Sequence, residues 1–284
     1  MPEPAQIYTP EYYQRLKAIE GNHWWTLGMN DIMSTLVAGR THGREIGCFL
    51  DIGCGSGIGL AWAARKWPEA RRIGLDVSSY ALEHCRELGA ELHQVEGEAL
   101  PLPDASVDLA ICIDVLQHVK EESAVVGEAA RVLRPGGFFF VRTNAQAFGV
   151  AAPAGGKLFT RRLLSACLRE AGLEVLHCSP VNVVGALVGT ARGLLGKRGH
   201  GQGHSHGHGA GHDDEPAVGQ DAAATKPFHG GGYDRGLRLQ PEDPGRPGSR
   251  LKRALLRLEG RWIRSCGRLP VGHSLVALAR RPST

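Results

Sequence analysis

A glycine-rich turn between a buried strand and a helix constrains this fold more than any other segment. The stretch CFLDIGCGSGIGL, residues 48–60, opens with apolar residues that predict a short buried strand with Asp51 at its end. Glycine then occupies every second position, at Gly53, Gly55 and Gly57, and the residues after them predict a helix. Glycine lets the backbone approach a ligand, and free N–H groups at a helix start face it. An acid beside this turn is unfavourable for a pyrophosphate and favourable for a positively charged ligand.

Beyond the turn, strands and helices alternate, which predicts a parallel sheet with crossover helices on both faces. The strands are predicted over residues 48–52, 73–77, 91–95, 107–113, 138–142, 173–178 and 273–280. Helices are predicted over residues 79–88, 121–133, 161–171 and 251–266. We therefore expect an α/β fold, a three-layer Rossmann-like sandwich.

Changes in composition divide the chain into four predicted segments. Residues 1–45 form a helical cap, whose HWW segment at 23–25 either packs on the domain or closes as a lid over a substrate. Residues 46–195 form the core. Residues 196–250 are rich in glycine and histidine and poor in aliphatic residues, so we expect a disordered insert. Residues 251–284 complete the core with a helix and the final strand.

Composition predicts a cytoplasmic protein with reduced cysteines. The seven cysteines show no CxxC pair, and several lie in apolar runs. The first residues carry no apolar core typical of a signal peptide, and no apolar run approaches the roughly 20 residues that span a bilayer. The formal net charge of +4 is mild and does not by itself indicate a nucleic-acid partner.

Three acids follow three successive predicted strands, at the edge where open parallel sheets bind ligands. Asp51 and Asp76 end the first two strands, and Glu98 follows the third. An acid about 20 or more residues beyond the glycine turn suits the two hydroxyls of a ribose, which favours Asp76 for that role. Glu98 could accept a hydrogen bond from an adenine amino group, with Ala99 and Leu100 as walls of the ring.

Four stretches together resemble the class I S-adenosylmethionine-dependent methyltransferases of the type 11 kind. They are LDIGCGSG at 50–57, IGLDVS at 73–78, GEALPLPDASVDLAICIDVLQHV at 97–119 and RVLRPGGFFFV at 131–141. The HWW segment and residues 256–281 are similar to bacterial small-molecule members of that group. The resemblance implies a seven-stranded, mostly parallel sheet with an antiparallel last strand.

The resemblance also implies S-adenosyl-L-methionine as cofactor. The candidate cofactor-binding residues are Asp51, Gly53, Cys54, Gly55, Gly57, Asp76, Val77, Glu98, Ala99, Leu100, Ile113 and Asp114. The rival class, a dinucleotide oxidoreductase, would need a glycine in the GxGxxG motif where Ile58 stands. We therefore predict a methyltransferase.

The expected acceptor is a small molecule, such as a glycan or natural-product intermediate. No Asn/Asp-Pro-Pro-Tyr loop follows the fourth strand and no Pro-Cys pair occurs, so a nucleic-acid acceptor is disfavoured. His118 is the first candidate for a general base, with a purely packing role as the alternative, and His23 is the second. The sequence predicts no oligomeric state.

Two further segments leave alternatives open. Five histidines between residues 200 and 212, with His204, His206 and His208 at the centre, either bind a metal ion or are incidental in a glycine-rich insert. Metal binding would favour a different function, a metal-binding or interaction module on a non-catalytic methyltransferase scaffold. The basic helix at 251–266 either contacts nucleic acid or a membrane surface, or packs its apolar side and leaves its arginines solvated.

Overall fold

The computed structural model describes residues 10–95, 99–146, 157–183, 185–186 and 245–283 of the 284-residue chain. The strands are β1 (Cys48–Ile52), β2 (Arg71–Asp76), β3 (Glu91–Gln94), β4 (Val107–Ile113), β5 (Leu133–Asn144), β6 (Glu174–Val181) and β7 (Ser274–Arg280). The principal helices are α1 (Pro10–Glu20), α2 (Trp24–Thr41), α3 (Ile58–Lys66), α4 (Ser79–Cys85), α5 (Glu122–Val132), α6 (Arg161–Glu170) and α7 (Pro247–Cys266).

The strands form one seven-stranded sheet in the order β3-β2-β1-β4-β5-β7-β6. β1 pairs in parallel with both β2 and β4, and β5 extends the parallel part. β7 lies between β5 and β6 and runs antiparallel to both. The predicted Rossmann-like sheet with an antiparallel last strand is confirmed. Strand order reverses beside β1, so the carboxyl ends of β1, β2 and β4 meet at the edge where such sheets bind ligands.

Alternate residues of the strands fill two apolar cores, one on each face of the sheet. In β5, Phe139 packs in the core formed with α5 and α6, whereas Phe138 and Phe140 face the core formed with α2, α3 and α7. β1 and β4 are almost wholly buried because both of their faces are covered by helices. These central strands hold the binding edge rigid.

Several element boundaries differ from the predicted ones. β5 begins at Leu133, directly after α5, because the Pro-Gly-Gly segment is absorbed as an irregularity in the strand pairing with β4. α7 begins at Pro247, four residues before the predicted start, since proline is favoured in the first helical turn. The rest of the predicted insert, up to residue 244, lies outside the described residues. Within the described ranges, no helix combines the length and apolar character needed to cross a bilayer.

Candidate functional site

The glycine-rich turn joins β1 to α3 and is hydrogen-bonded to the neighbouring strand. The backbone N–H groups of Gly53 and Cys54 both donate to the carbonyl of Leu75 at the end of β2, at 2.7 and 2.9 Å. Gly53 has a φ of +73°, and a Cβ atom there would lie 2.2 Å from Cγ2 of Val115. The turn is therefore packed against the segment that follows β4, and only glycine fits at this position.

Asp76, the last residue of β2, ties this strand to the turn. Its Oδ2 accepts the N–H of Gly55 at 2.9 Å, and its Oδ1 accepts the N–H of Ser78 at 2.9 Å. Burial raises the pKa of Asp76, and these backbone donors act in the opposite direction. The carboxylate is thus held at the carboxyl end of the sheet in a fixed orientation.

Asp51 is the penultimate residue of β1, and its side chain is buried. Its side chain faces Gly59 at the start of α3, where an added Cβ would be 2.2 Å from Oδ2. Burial, together with the charges of Asp76 and Glu20, raises the pKa of Asp51 to about 8. Glu20, Asp51 and Asp76 thus form an acidic cluster around the turn.

Glu20 is a member of this cluster that the sequence did not reveal. It is the last residue of α1, it is buried, and it accepts a hydrogen bond from the hydroxyl of Ser56 in the glycine turn. Leu16 and Tyr13 of the same helix pack with Ala81 of α4. α1 therefore covers the turn, and the predicted N-terminal cap lies directly over the candidate site.

We expect Asp51→Asn to stabilise the free protein more at pH 8.5 than at pH 5. The pKa of Asp51 is raised in the folded chain, so its carboxyl favours the folded state when the pH is below the pKa of the unfolded chain. This contribution to the free energy of unfolding is lost as pH rises through about 8. Asparagine has no charge to bury, so its advantage grows over that window, at ~1.4 kcal/mol per unit of pKa shift. The measurement is the difference in Tm between variant and wild type at both pH values. The surface variant Asp104→Asn is the control, and an equal difference at both pH values for Asp51→Asn contradicts the prediction.

A buried ion pair joins β4, β5 and α2 beside the turn. Asp114 follows β4 with a left-handed φ of +57°, and its carboxylate accepts two hydrogen bonds from Arg142 of β5, at 2.6 and 3.2 Å. The guanidinium carbon of Arg142 lies 4.9 Å from the ring centroid of Trp25. The pair therefore fixes the start of α2 over the carboxyl ends of β4 and β5.

His23 has a structural contact in this arrangement. It is buried, it precedes α2, and its Nδ1 accepts the N–H of Trp25 at 3.3 Å. This hydrogen bond caps the helix N-terminus. Trp24 and Trp25 are both buried, so the HWW segment packs in the α2 core.

His118 lies in the segment after β4. Its backbone N–H donates to the carbonyl of Val115 at 2.8 Å. Its ring is half-buried, and desolvation lowers its pKa although the charge of Asp114 acts in the opposite direction. The imidazole is therefore neutral at physiological pH and can accept a proton. The adjacent Gln117 is buried and accepts a hydrogen bond from the hydroxyl of Thr143 at 2.8 Å.

Other predicted residues lie around this centre. Cys54 is buried, with its sulfur 3.9 Å from that of Cys85. Ile113 is half-buried, whereas Val77 and Ala99 are exposed. Leu100 is buried, and its N–H donates to Glu128 of α5.

The described residues contain no group of three or more histidine, cysteine or acidic side chains that could hold a metal ion. The predicted residues Glu98, His204, His206 and His208 fall outside the described ranges.

Comparisons with known proteins agree with this geometry. The methyltransferase domain family matches residues 50–141, which include the turn, the acidic ends of β1 and β2 and the segment after β4. A Mycolicibacterium smegmatis protein named as a probable S-adenosylmethionine-dependent methyltransferase is 35% identical over 165 residues, which are 55% of this chain and 61% of that protein. The ubiquinone biosynthesis O-methyltransferase of Paracidovorax citrulli is 34% identical over 48% of this chain and 65% of its own length. The chain thus spans less than two thirds of these relatives.

Solved structures share the fold at low sequence identity. Phosphoethanolamine N-methyltransferase 2 of Haemonchus contortus, in complex with S-adenosyl-L-methionine, superposes with a TM-score of 0.58 at 12% identity, over 98% of this chain and 58% of that one. The [4+2]-cyclase SpnF superposes with a TM-score of 0.51 at 22% identity, over 89% and 81% of the two chains. The family match over residues 50–141, together with the sheet and the glycine turn, shows that this part of the chain is a methyltransferase domain.

Proposed function

We propose that this chain transfers the methyl group of S-adenosyl-L-methionine to a small-molecule acceptor. The observation that carries the proposal is the acidic cluster of Glu20, Asp51 and Asp76 around a glycine turn. Ionising the buried carboxyl of Asp51 beside Asp76 and Glu20 is costly, as its raised pKa indicates. S-adenosyl-L-methionine carries an ammonium and a sulfonium, so its binding would offset this cost.

The cofactor-binding roles follow from the same geometry. We assign the ribose hydroxyls to Asp76, whose carboxylate is already oriented by two backbone N–H groups. Asp51 would act on the ammonium through its charge, and the backbone of Gly53, Gly55 and Gly57 would line the approach of the aminoacyl group. When bound, the cofactor supplies an activated methyl carbon, and the chain must align an acceptor with it and exclude water.

Proton removal from an acceptor hydroxyl is the step for which a side chain is needed. Neutral His118 stands after β4 with its ring half-buried, which fits a general base of moderate strength. Among the relatives named as O-methyltransferases are the ubiquinone biosynthesis enzyme above and a fatty-acid O-methyltransferase of Mycolicibacterium smegmatis, 33% identical over 37% of this chain and 39% of that protein. We therefore propose a hydroxyl or carboxyl oxygen on a largely apolar acceptor.

The test is methyl transfer from labelled S-adenosyl-L-methionine to a panel of phenols, fatty acids and amines, read by mass spectrometry of the product. We expect methylation of an oxygen on an apolar acceptor. Label transfer confined to amines contradicts the acceptor proposal, and transfer to no member of the panel leaves the methyl-transfer proposal without support.

His118→Ala should lower kcat by about 100-fold for a hydroxyl acceptor, the usual contribution of a general base. Binding of S-adenosylhomocysteine should change less than twofold, because His118 is proposed to act on the acceptor. His42→Ala, an exposed residue at the C-terminal end of α2, is the matched control. An unchanged kcat for His118→Ala would assign this ring to packing.

A further inference from the structure

The outer side of α7 carries an apolar stripe that nothing in the described structure covers. Leu251, Leu258 and Trp262 are 63%, 56% and 55% exposed. Their spacing of seven and four residues places them on one side of the helix. The opposite side packs on α2, where Leu256 and Ile263 are buried. The predicted helix therefore buries one apolar side and exposes a second.

A row of arginines runs beside this stripe. Arg250, Arg257, Arg261 and Arg264 follow one another at spacings of seven, four and three residues, and all four are exposed. Arg257 pairs with Asp31 of α2, whereas the other three have no acidic partner within the described ranges. The outer face of α7 is defined here as the three apolar residues and these four arginines.

The single acid of α7 does not weaken this positive charge. Glu259 points inward, where its two carboxylate oxygens accept the backbone N–H groups of Asn182 and Val183 at 2.6 and 3.0 Å. It therefore neutralises none of the outer arginines. The outer face is apolar on one side and cationic on the other.

We propose that the outer face of α7 docks on the surface of an anionic lipid membrane. A helix with basic residues beside exposed leucine and tryptophan lies in the interfacial plane, with its apolar side among the acyl chains and its cations at the headgroups. A nucleic acid would take up the arginines but leave Leu251, Leu258 and Trp262 in water. The apolar stripe therefore favours the lipid surface over a polyanion.

The position of α7 relates this surface to the candidate site. Leu256 packs against Gly28, and Gly260 against Ile32, so α7 runs parallel to α2 and the two helices begin at the same edge of the sheet. The ammonium of Lys252 lies 5.0 Å from the ring centroid of Trp24, the residue next to the Trp25–Arg142 contact. A membrane on the outer face would thus lie beside the edge that carries the site. The docking surface itself does not depend on the proposed methyl transfer.

The test is co-sedimentation of the full chain with vesicles of phosphatidylcholine alone and with roughly 30% phosphatidylglycerol. We expect binding to the anionic vesicles only, reduced when NaCl rises from about 0.1 to 0.5 M. Leu258→Ser with Trp262→Ser should lower the partition coefficient at least ~10-fold, and Arg250→Gln with Arg261→Gln about 10- to 30-fold. Equal Tm values for variants and wild type check folding.

Two matched variants control for general loss of apolar or basic surface. Leu163→Ser removes a leucine that is 46% exposed on α6, on the opposite face of the sheet. Arg65→Gln with Lys66→Gln removes two exposed cations from α3. Both should bind anionic vesicles like the wild type.

Three results would overturn the proposal. The first is absence of wild-type binding to anionic vesicles, and the second is binding that the α7 variants leave unchanged. The third is a wild-type dimer in sedimentation velocity that Leu258→Ser with Trp262→Ser converts to a monomer, because a second copy would then cover this face. Conversely, quenching of Trp262 by brominated lipids, lost in Trp262→Phe while binding is kept, would support it.

Discussion

Asp76→Asn should weaken the binding of S-adenosylhomocysteine about 100-fold. Asparagine keeps one acceptor oxygen, so one charge-assisted hydrogen bond to the ribose, at ~1.5–3 kcal/mol, is lost. The variant would also place an amide NH2 opposite the N–H of Gly55 or Ser78, both of which now donate to the carboxylate at 2.9 Å. The turn would therefore lose part of its support as well as a ligand contact.

The binding constant can be obtained from the ligand-induced shift in Tm, which depends on the ratio of ligand concentration to Kd. Asp104→Asn is the matched control because its carboxylate is 74% exposed and lies on the surface, paired with Arg131. An affinity within twofold of the wild type for Asp76→Asn would remove the ribose assignment.

Arg142→Met should lower the stability of the chain by about 3–5 kcal/mol, the usual cost of breaking a buried ion pair from one side. Arg142 is 3% exposed, and its loss leaves the carboxylate of Asp114 without its two donors in a largely buried place. At roughly 2–4 °C per kcal/mol, Tm should fall by about 10 °C. The contact with Trp25 is also lost, so the start of α2 should loosen.

A second substitution separates the ion pair from general packing. Arg142→Met combined with Asp114→Asn should regain part of the lost Tm, because no unpaired charge remains. Arg134→Met on the same strand is the matched control. The side chain of Arg134 is 47% exposed, so its ion pair with Asp108 should contribute at most ~1 kcal/mol to stability. A double variant no more stable than Arg142→Met would show that packing, and not the ion pair, sets the cost.

The sheet and the glycine turn could be predicted because their signals are local. The apolar runs of β1 and β4 coincide with the predicted strands, since both faces of each strand are buried. The turn was likewise indicated by glycines, three of which have positive φ in the structure. The predicted strand boundaries were wrong where strand pairing overrode a local turn signal, as at the Pro-Gly-Gly segment of β5, which pairs with β4.

The contacts that complete the site could not be predicted, because their partners are far apart in the chain. Nothing near Glu20 indicates that it accepts a hydrogen bond from Ser56, and nothing near Trp25 indicates Arg142. One signal was available: an arginine at the end of the run FFFVR is unusual in a buried strand and points to a buried partner. The inward placement of Asp51 was equally hidden, because it depends on the close approach of Gly59.

Isothermal titration calorimetry of the full chain with S-adenosylhomocysteine and with S-adenosyl-L-methionine tests most directly whether the acidic cluster and glycine turn hold a cationic adenosyl ligand. We expect one-to-one binding of both, with Kd of about 1–100 µM. We also expect proton release at pH 7 that disappears in Asp51→Asn, because the ligand's ammonium should ionise a carboxyl whose pKa is about 8. Absence of a binding isotherm for both ligands, in a sample with a cooperative thermal transition, would contradict the assignment of this site.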